Sequence, residues 1–330
     1  MKLVLFGFEV PGNQLRELKE EFEGKYEFQE FNVRHFDARL IGIAEVLVLV
    51  SSNPEVIAKA SACRWIHSWS AGVDDYLLLE RFRGSNAPIL TNSAGSYGKQ
   101  ISEHVFALIF AFTRGIKPII LNQERRRWEI PFRSEGGAEL SEIAGKIIGV
   151  VGLGHVGLEV ARTAKAFGLS VLGVRRDTSI ELKIPSLKSY VDEIYSPDGL
   201  ATVLSKSDFV VNALPLTHET KGLFSKSSFS WFKKGAVFIS VGRGGTVLEN
   251  DLIEALQKGI VSRAALDVFS REPLPEDSPL WKMGNVIISP HCAGRSVNHS
   301  ERAHSILRDN LARYSRNQPL LNRVDMRTGY

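Results

Sequence analysis

GKIIGVVGLGHVGLEVA, from Gly145 to Ala161, runs through a strand pattern, a glycine turn and an apolar-periodic helix without interruption. Ile147, Ile148, Val150 and Val151 read as a buried strand, and Gly152, Gly154 and Gly157 form GxGxxG at the mouth of the helix. That order puts backbone N–H groups and the positive end of a helix dipole where a pyrophosphate binds. Gly152 permits the turn, Gly154 lets phosphate approach closely, and Gly157 lets helix and strand pack. The spacing alone is weak, because glycine-rich turns are common. The strand before it and the helix after it point to dinucleotide binding.

Outward from this unit the alternation continues. A helix runs to Phe167, then come SVLGV ending at Val174, a helix near Asp198–Leu204, and the strands DFVVNAL from Asp208, AVFIS from Ala236, RAALDVF from Arg263 and NVIISP from Asn285. Repeated βα units feeding one parallel sheet predict a doubly wound α/β domain. Upstream, residues 1 to about 92 alternate as KLVLF, a charged helix near Gln14–Phe22, VLVLV at Val46–Val50, a capped helix from Asn53, WIHSW at Trp65–Trp69 and PILT near Pro88. These predict a smaller parallel α/β domain. An amphipathic helix from Ser296 to Leu311 leads into a tail expected to cross back to it. The expected division is therefore 1–96 with 296–330 as a discontinuous domain, and 97–295 as the dinucleotide-binding domain. Between the two patterns, a long helix is expected from about Gln100 through Phe106, Ile109, Phe112, Ile116 and Ile120 to Trp128. Its apolar face is too wide for one-sided packing, so it is either an interdomain or subunit contact or a helix buried within one chain.

Composition narrows the function classes. At 330 residues the chain is long for one core, and 44% hydrophobic with 24% charged residues describes a globular protein. The net charge of +4 comes from 41 basic and 37 acidic residues spread along the chain, with Arg125–Arg127 the one notable cluster, so nucleic-acid binding is not expected. No segment reads as a transmembrane helix or a secretory signal, so no membrane association is expected. Two cysteines, Cys63 and Cys292, make neither a disulfide framework nor a spaced metal site, and a reducing, cytoplasmic setting fits.

Three charged residues follow strands of the second domain: Arg243 in SVGRGG, Glu272 in LDVFSREPLP and His291 in ISPHCAG. Singly, each has a bland reading as a surface charge, a loop carboxylate or a satisfied histidine. Together, at the strand ends of a dinucleotide-binding sheet, they predict a site. In the first domain the small-residue turn SAGVDD, Ser70–Asp75, follows a strand and exposes backbone N–H groups.

GLGHVGLEVA, ALPLTHETKGLF, SVGRGGTVLENDLIEAL, LDVFSREPLP and PHCAG, in this order and spacing, resemble the D-isomer-specific 2-hydroxyacid dehydrogenase family, and SAGVDDYL and Asn92–Arg114 extend the likeness over nearly the whole chain. The resemblance implies a Rossmann-type doubly wound domain with a smaller flavodoxin-like substrate domain. It also implies Arg243 as carboxylate binder, His291 as acid/base, Glu272 as its orienting partner, and backbone donors from Ala71, Gly72 and Val73 toward the substrate. Physical chemistry supports these jobs: a guanidinium offers a donor fork to a 2-keto carboxylate, and an imidazole transfers a proton near neutral pH. Further cofactor contacts are implied at His155, Val156, Leu214, Pro215, Val241, Gly242, Asp267, Ala293 and Gly294, with Asp267 facing the nicotinamide amide.

The end of VLGVRRD bears on which nicotinamide is used. Arg175 stands where the family's ribose-binding Asp usually falls, with Arg176 beside it, and two arginines suit a 2′-phosphate. The other reading makes them exposed charges and gives the ribose to Asp177. Two departures from the family pattern stand out: Ser240 where Asn is common, and Cys292 beside His291. The expected activity is NADP(H)-linked reduction of a small 2-keto acid such as glyoxylate or hydroxypyruvate, with NAD(H) possible, by a homodimer. The alternatives are an NAD-linked relative of the phosphoglycerate dehydrogenase kind and a non-catalytic, cofactor-sensing protein of the corepressor kind.

Overall fold

The computed structural model describes residues 1–84, 86–130, 140–179 and 185–326. Two compact units result: Met1–Ser96 with Ser296–Tyr330, and Tyr97–Arg295.

The first unit holds β1 (Lys2–Phe6), β2 (Tyr26–Glu30), β3 (Val46–Leu49), β4 (Trp65–Ser68) and β5 (Ile89–Asn92). They form one sheet in the order β2-β1-β3-β4-β5, with every pairing parallel. This is the flavodoxin-like order. β3 is buried throughout because a parallel sheet is covered on both faces, which is why VLVL reads as a continuous apolar run. β2 does not figure among the expected strands. It is an edge strand whose YEFQE buries only Tyr26 and Phe28, so most of its residues are partly exposed or exposed and the apolar signal is short. The helices are α1 (Gly12–Glu21), α2 (Ala38–Ile43) and α3 (Pro54–Lys59), and Asn53 caps α3 by accepting from the Val56 N–H at 3.1 Å. The C-terminal helix, His299–Ser315, packs Ala303, Leu307 and Leu311 among Val4, Phe6, Val46 and Val48 of this unit. After it, Val324 N–H bonds the Leu90 carbonyl at 2.9 Å, and the Asn322 amide bonds the Ala94 carbonyl at 2.7 Å.

In the second unit, β6 (Ile147–Val151), β7 (Ser170–Val174), β8 (Glu193–Tyr195), β9 (Phe209–Asn212), β10 (Val237–Ser240), β11 (Arg263–Leu266) and β12 (Val286–Ile288) form a parallel sheet in the order β12-β11-β10-β9-β6-β7-β8. Renumbered from β6, that is the Rossmann order with one strand added at the far edge. The order reverses between β6 and β9, the switch point where such sheets bind ligands beyond their carboxyl ends. β8 is the other strand without a counterpart in the expectations, being a three-residue edge with no fully buried position. At the opposite end of the sheet two carboxylates pin the strands: Asp208 accepts from Ile147 N–H at 2.9 Å, and Asp192 from Val171 N–H at 2.7 Å.

The expected single helix from Gln100 to Trp128 is two helices, α4 (Gly98–Thr113) and α5 (Ile116–Glu124), bent by 67°. Gly115 between them sits at φ 61°, the left-handed geometry that terminates helices. The wide apolar face is thereby divided. α4 buries Val105, Phe106, Ile109 and Phe112 in the core of its own unit against α6 (His155–Ala166). α5 buries nothing, and Ile116, Ile119, Ile120 and Leu121 stand exposed, as do Trp128 and Ile130. Among the described residues no single helix is long and apolar enough to cross a membrane. The sheet is completed by α7 (Leu200–Lys206), α8 (Lys226–Phe229) and α9 (Glu249–Gln257).

Candidate active site

The glycine turn follows β6 directly. Gly152 lies at φ 102°, and a Cβ on it would stand 2.9 Å from the Ala213 carbonyl oxygen. A Cβ on Gly157 would stand 2.1 Å from the Gly152 carbonyl oxygen, so this glycine is required by packing. Gly154 differs, because a Cβ there meets nothing within 4 Å. The protein leaves open the space over the second glycine, where pyrophosphate approaches the backbone. His155, Val156 and Gly157 form the first turn of α6, which has no side-chain cap and no acidic residue to compete with an anion. These residues fit a dinucleotide pyrophosphate.

Arg175 follows β7, and its guanidinium donates to the Leu153 carbonyl, which places it at the rim of the glycine turn. Burial, with the Arg175 charge added, holds His155 below the ordinary histidine value. Arg176 pairs with Glu219 at 3.1 Å, both side chains well exposed. Asp177 accepts from the Ser179 N–H at 3.0 Å and the Ser179 hydroxyl at 2.5 Å, which folds it onto its own turn.

Arg243 lies in the loop after β10. Gly242 and Gly244 on either side allow backbone contacts that no side chain could share: a Cβ on the first would stand 2.4 Å from the Leu214 carbonyl oxygen, and on the second 1.9 Å from Phe269. Beneath the loop a buried polar network sets its path. The Asn212 amide donates to Ser240 Oγ at 3.1 Å and Thr246 Oγ1 at 2.8 Å, and Thr246 donates to the Arg243 carbonyl at 2.6 Å. Asn212 Oδ1 accepts from Leu214 N–H at 3.2 Å, positioning Leu214 and Pro215, and its carbonyl accepts from Val241 N–H at 3.0 Å. Ser240, the departure from Asn, thus serves this network.

Glu272 and His291 come together. His291 Nδ1 lies 2.6 Å from Glu272 Oε2, while Glu272 Oε1 accepts from Phe269 N–H at 2.9 Å. An ionised carboxylate only accepts, so in this pairing Nδ1 carries the proton and Nε2 takes no part in the bond to Glu272. The His291 side chain is 49% exposed. Arg243, Glu272 and His291 follow β10, β11 and β12, adjacent strands of one sheet.

Asp267 is 1% exposed at the end of β11. Its carboxylate accepts from Ser289 Oγ at 2.6 Å and from the N–H groups of Cys292 and Ala293 at 3.0 Å each. It therefore holds the loop carrying His291, a role beyond the nicotinamide contact expected for it. Gly294 closes the loop: its carbonyl accepts from Gln100 at 3.2 Å, and a Cβ on it would stand 3.0 Å from the Tyr97 ring. Ser289 and His104 had no part in the sequence expectation. His104 sits in the apolar pattern of α4, where a histidine reads as core, yet its Nε2 lies 3.0 Å from Ser289 Oγ. His104, Asp267 and Cys292 bring possible metal-ligand atoms within 4.8 Å of one another. Asp267 Oδ1 already accepts from Ser289 and from the Cys292 N–H, so hydrogen bonds account for the cluster.

Ala71, Gly72 and Val73 belong to the first unit, after β4. The Asn92 amide holds the Ala71 carbonyl at 2.8 Å, and the carbonyl of buried Val73 accepts from Tyr76 N–H at 3.0 Å.

The sheet order and the glycine turn define a dinucleotide-binding α/β protein. The chain belongs to the D-isomer specific 2-hydroxyacid dehydrogenase family, whose NAD-binding domain model matches residues 106–293, and it is an NAD(P)-dependent oxidoreductase of that family. It is 32% identical over 286 residues to a glyoxylate reductase of Thermofilum pendens, covering 85% of this chain and 78% of the relative. A crystal structure of a family member from Aeromonas salmonicida is 30% identical, with a TM-score of 0.81 over 98% of this chain and 99% of that one. An NADPH-dependent glyoxylate/hydroxypyruvate reductase from Sinorhizobium meliloti, solved with NADP and sulfate, is 26% identical, with a TM-score of 0.80 over 100% of both chains.

Proposed function

We propose that this enzyme reduces a small 2-keto acid of the glyoxylate or hydroxypyruvate type to the corresponding 2-hydroxy acid with NADPH. The observation that carries the reading is the 2.6 Å pairing of His291 Nδ1 with Glu272, itself anchored on the Phe269 N–H. When bound, the reduced nicotinamide supplies a hydride to the carbonyl carbon. His291 supplies the proton: the carbonyl π bond breaks toward oxygen, the oxygen takes a proton from Nε2, and the carboxylate of Glu272 stabilises the imidazolium that gives it up. Arg243 binds the substrate carboxylate through its donor fork and polarises the adjacent carbonyl. In the reverse direction the neutral imidazole accepts the hydroxyl proton.

His155, Val156 and Gly157 would receive the pyrophosphate, and Arg175 and Arg176 a ribose 2′-phosphate. Asp177 is the weaker candidate for the ribose because Ser179 already engages it. The apolar side chains exposed on and just after α5 support assembly as a homodimer. A panel of 2-keto acids assayed with NADPH and NADH tests the reading. Turnover of glyoxylate or hydroxypyruvate with NADPH is expected, and bound cofactor with no turnover across the panel refutes it.

A further inference from the structure

His291 has a left-handed backbone, at φ 50°, a conformation that carries strain in a non-glycine residue and persists only where the surroundings hold it. Asp267 provides much of that hold. Its carbonyl accepts the His291 N–H at 2.9 Å, Oδ1 accepts the Cys292 N–H and Oδ2 the Ala293 N–H. Three consecutive N–H groups thus converge on one buried residue.

A further layer lies behind Asp267. Ser289 Oγ donates its single proton to Asp267 Oδ1 at 2.6 Å, so toward His104 it can only accept. His104 Nε2, 3.0 Å away, is therefore the donor, and one proton placement satisfies the chain from His104 through Ser289 to Asp267. His104 comes from α4, far from the loop in sequence, and its side chain is 22% exposed.

We propose that His104 is a positioning residue for the reduction. Together with Ser289 it fixes the Asp267 carboxylate, which holds the 289–293 loop in the left-handed turn from which His291 meets Glu272. This rests on the acid/base reading of His291. A small displacement of a reacting group costs up to about a hundredfold in rate, so the expected loss is kinetic.

The test uses the full-length protein with His104→Leu, His104→Gln, Ser289→Ala and Ser289→Thr. His104→Leu and Ser289→Ala are expected to lower kcat by about tenfold or more with KM for the keto acid little changed. His104→Gln and Ser289→Thr, which keep a donor and a hydroxyl, restore most of it. Amide hydrogen exchange across residues 289–294 gives a readout independent of turnover: it accelerates in the Leu and Ala variants and returns toward wild type in the Gln and Thr variants. Unchanged exchange in His104→Leu, or an equal loss of kcat in Leu and Gln variants with normal exchange, overturns the proposal and makes His104 a packing residue. A wild type that reduces no 2-keto acid refutes the acid/base reading instead, while the exchange data still decide whether His104 holds the loop.

Discussion

Replacing Arg175 and Arg176 tests how the enzyme chooses its cofactor. A ribose 2′-phosphate carries nearly two negative charges near pH 7, and a charge-assisted hydrogen bond to it is worth about 1.5–3 kcal/mol. The two arginines do not start from the same position. Arg175 is already oriented by its bond to the Leu153 carbonyl, which occupies one of the five N–H donors of its guanidinium. On the proposed NADPH reading it would meet the phosphate with little reorganisation, so Arg175→Ala should cost about 10- to 150-fold in kcat/KM for NADPH. Arg176 must first release Glu219, 3.1 Å away, and an exposed pair of that kind holds it by about 0–1 kcal/mol. Its loss should therefore cost less, about tenfold. Glu219→Gln removes that competition and should improve NADPH use modestly. NADH carries a hydroxyl in place of the phosphate and should barely respond to the single changes. The double change Arg175→Asp with Arg176→Ala supplies an acceptor for the ribose hydroxyls and repels phosphate, so the preference should invert. The assay is the ratio of kcat/KM for NADPH and NADH at saturating keto acid. A wild type that already prefers NADH, or a ratio indifferent to both arginines, refutes the reasoning and returns the ribose to Asp177.

Glu272→Gln presents an amide to His291 Nδ1 where a carboxylate now lies, so kcat should fall by roughly a hundredfold or more with cofactor affinity retained, as measured by single-turnover kinetics; wild-type kcat would remove Glu272 from the mechanism. The glycines separate packing from ligand approach: Gly157→Ala drives a Cβ onto the Gly152 carbonyl and should cost about 1–3 kcal/mol in denaturant unfolding, whereas Gly154→Ala should fold normally and lose cofactor affinity. Burial pushes the Asp208 carboxyl upward, but the Ile147 N–H and Lys233 outweigh it and hold the folded value below the ordinary one. A depressed folded value means stability that is present above the unfolded pKa of about 3.9 and is lost as pH falls through the folded one. Asp208→Asn should therefore be less stable than wild type at neutral pH, with the gap closing in acid; a gap independent of pH would show that the carboxylate charge contributes nothing. The exposed face of α5 predicts a dimeric mass by light scattering and a monomer for Ile120→Asp, and a monomeric wild type refutes the assembly.

The layout of the candidate site was legible in the chain where its parts are local. Gly152, Gly154 and Gly157 declare a turn whose geometry depends on residues a few positions apart, and their φ values and close contacts account for two of the three. Arg243, Glu272 and His291 could be placed at strand ends because buried parallel strands are continuous apolar runs, and each charged residue follows one. The strands that escaped notice, β2 and β8, are edges, where solvent on one side removes that run. The bend at Gly115 was visible as a glycine, but an isolated glycine inside an apolar helical pattern is ambiguous until the packing of α4 against α6 ends one helix and begins another.

By itself the sequence determined the order of βα units, the glycine turn, the strand ends that carry charged groups and the two arginines after β7. All of these follow from period, backbone freedom and residue chemistry over short spans. Tertiary structure alone decided the anchoring of Glu272 on the Phe269 N–H, the use of Ser240 and Asn212 to shape the Arg243 loop, and the chain from His104 through Ser289 to Asp267. His104 lies more than 180 positions before Ser289 and becomes its partner only because α4 packs beside the sheet that ends there. A hydrogen bond depends on an approach of about 3 Å, and no periodicity along the chain encodes that distance between residues so far apart.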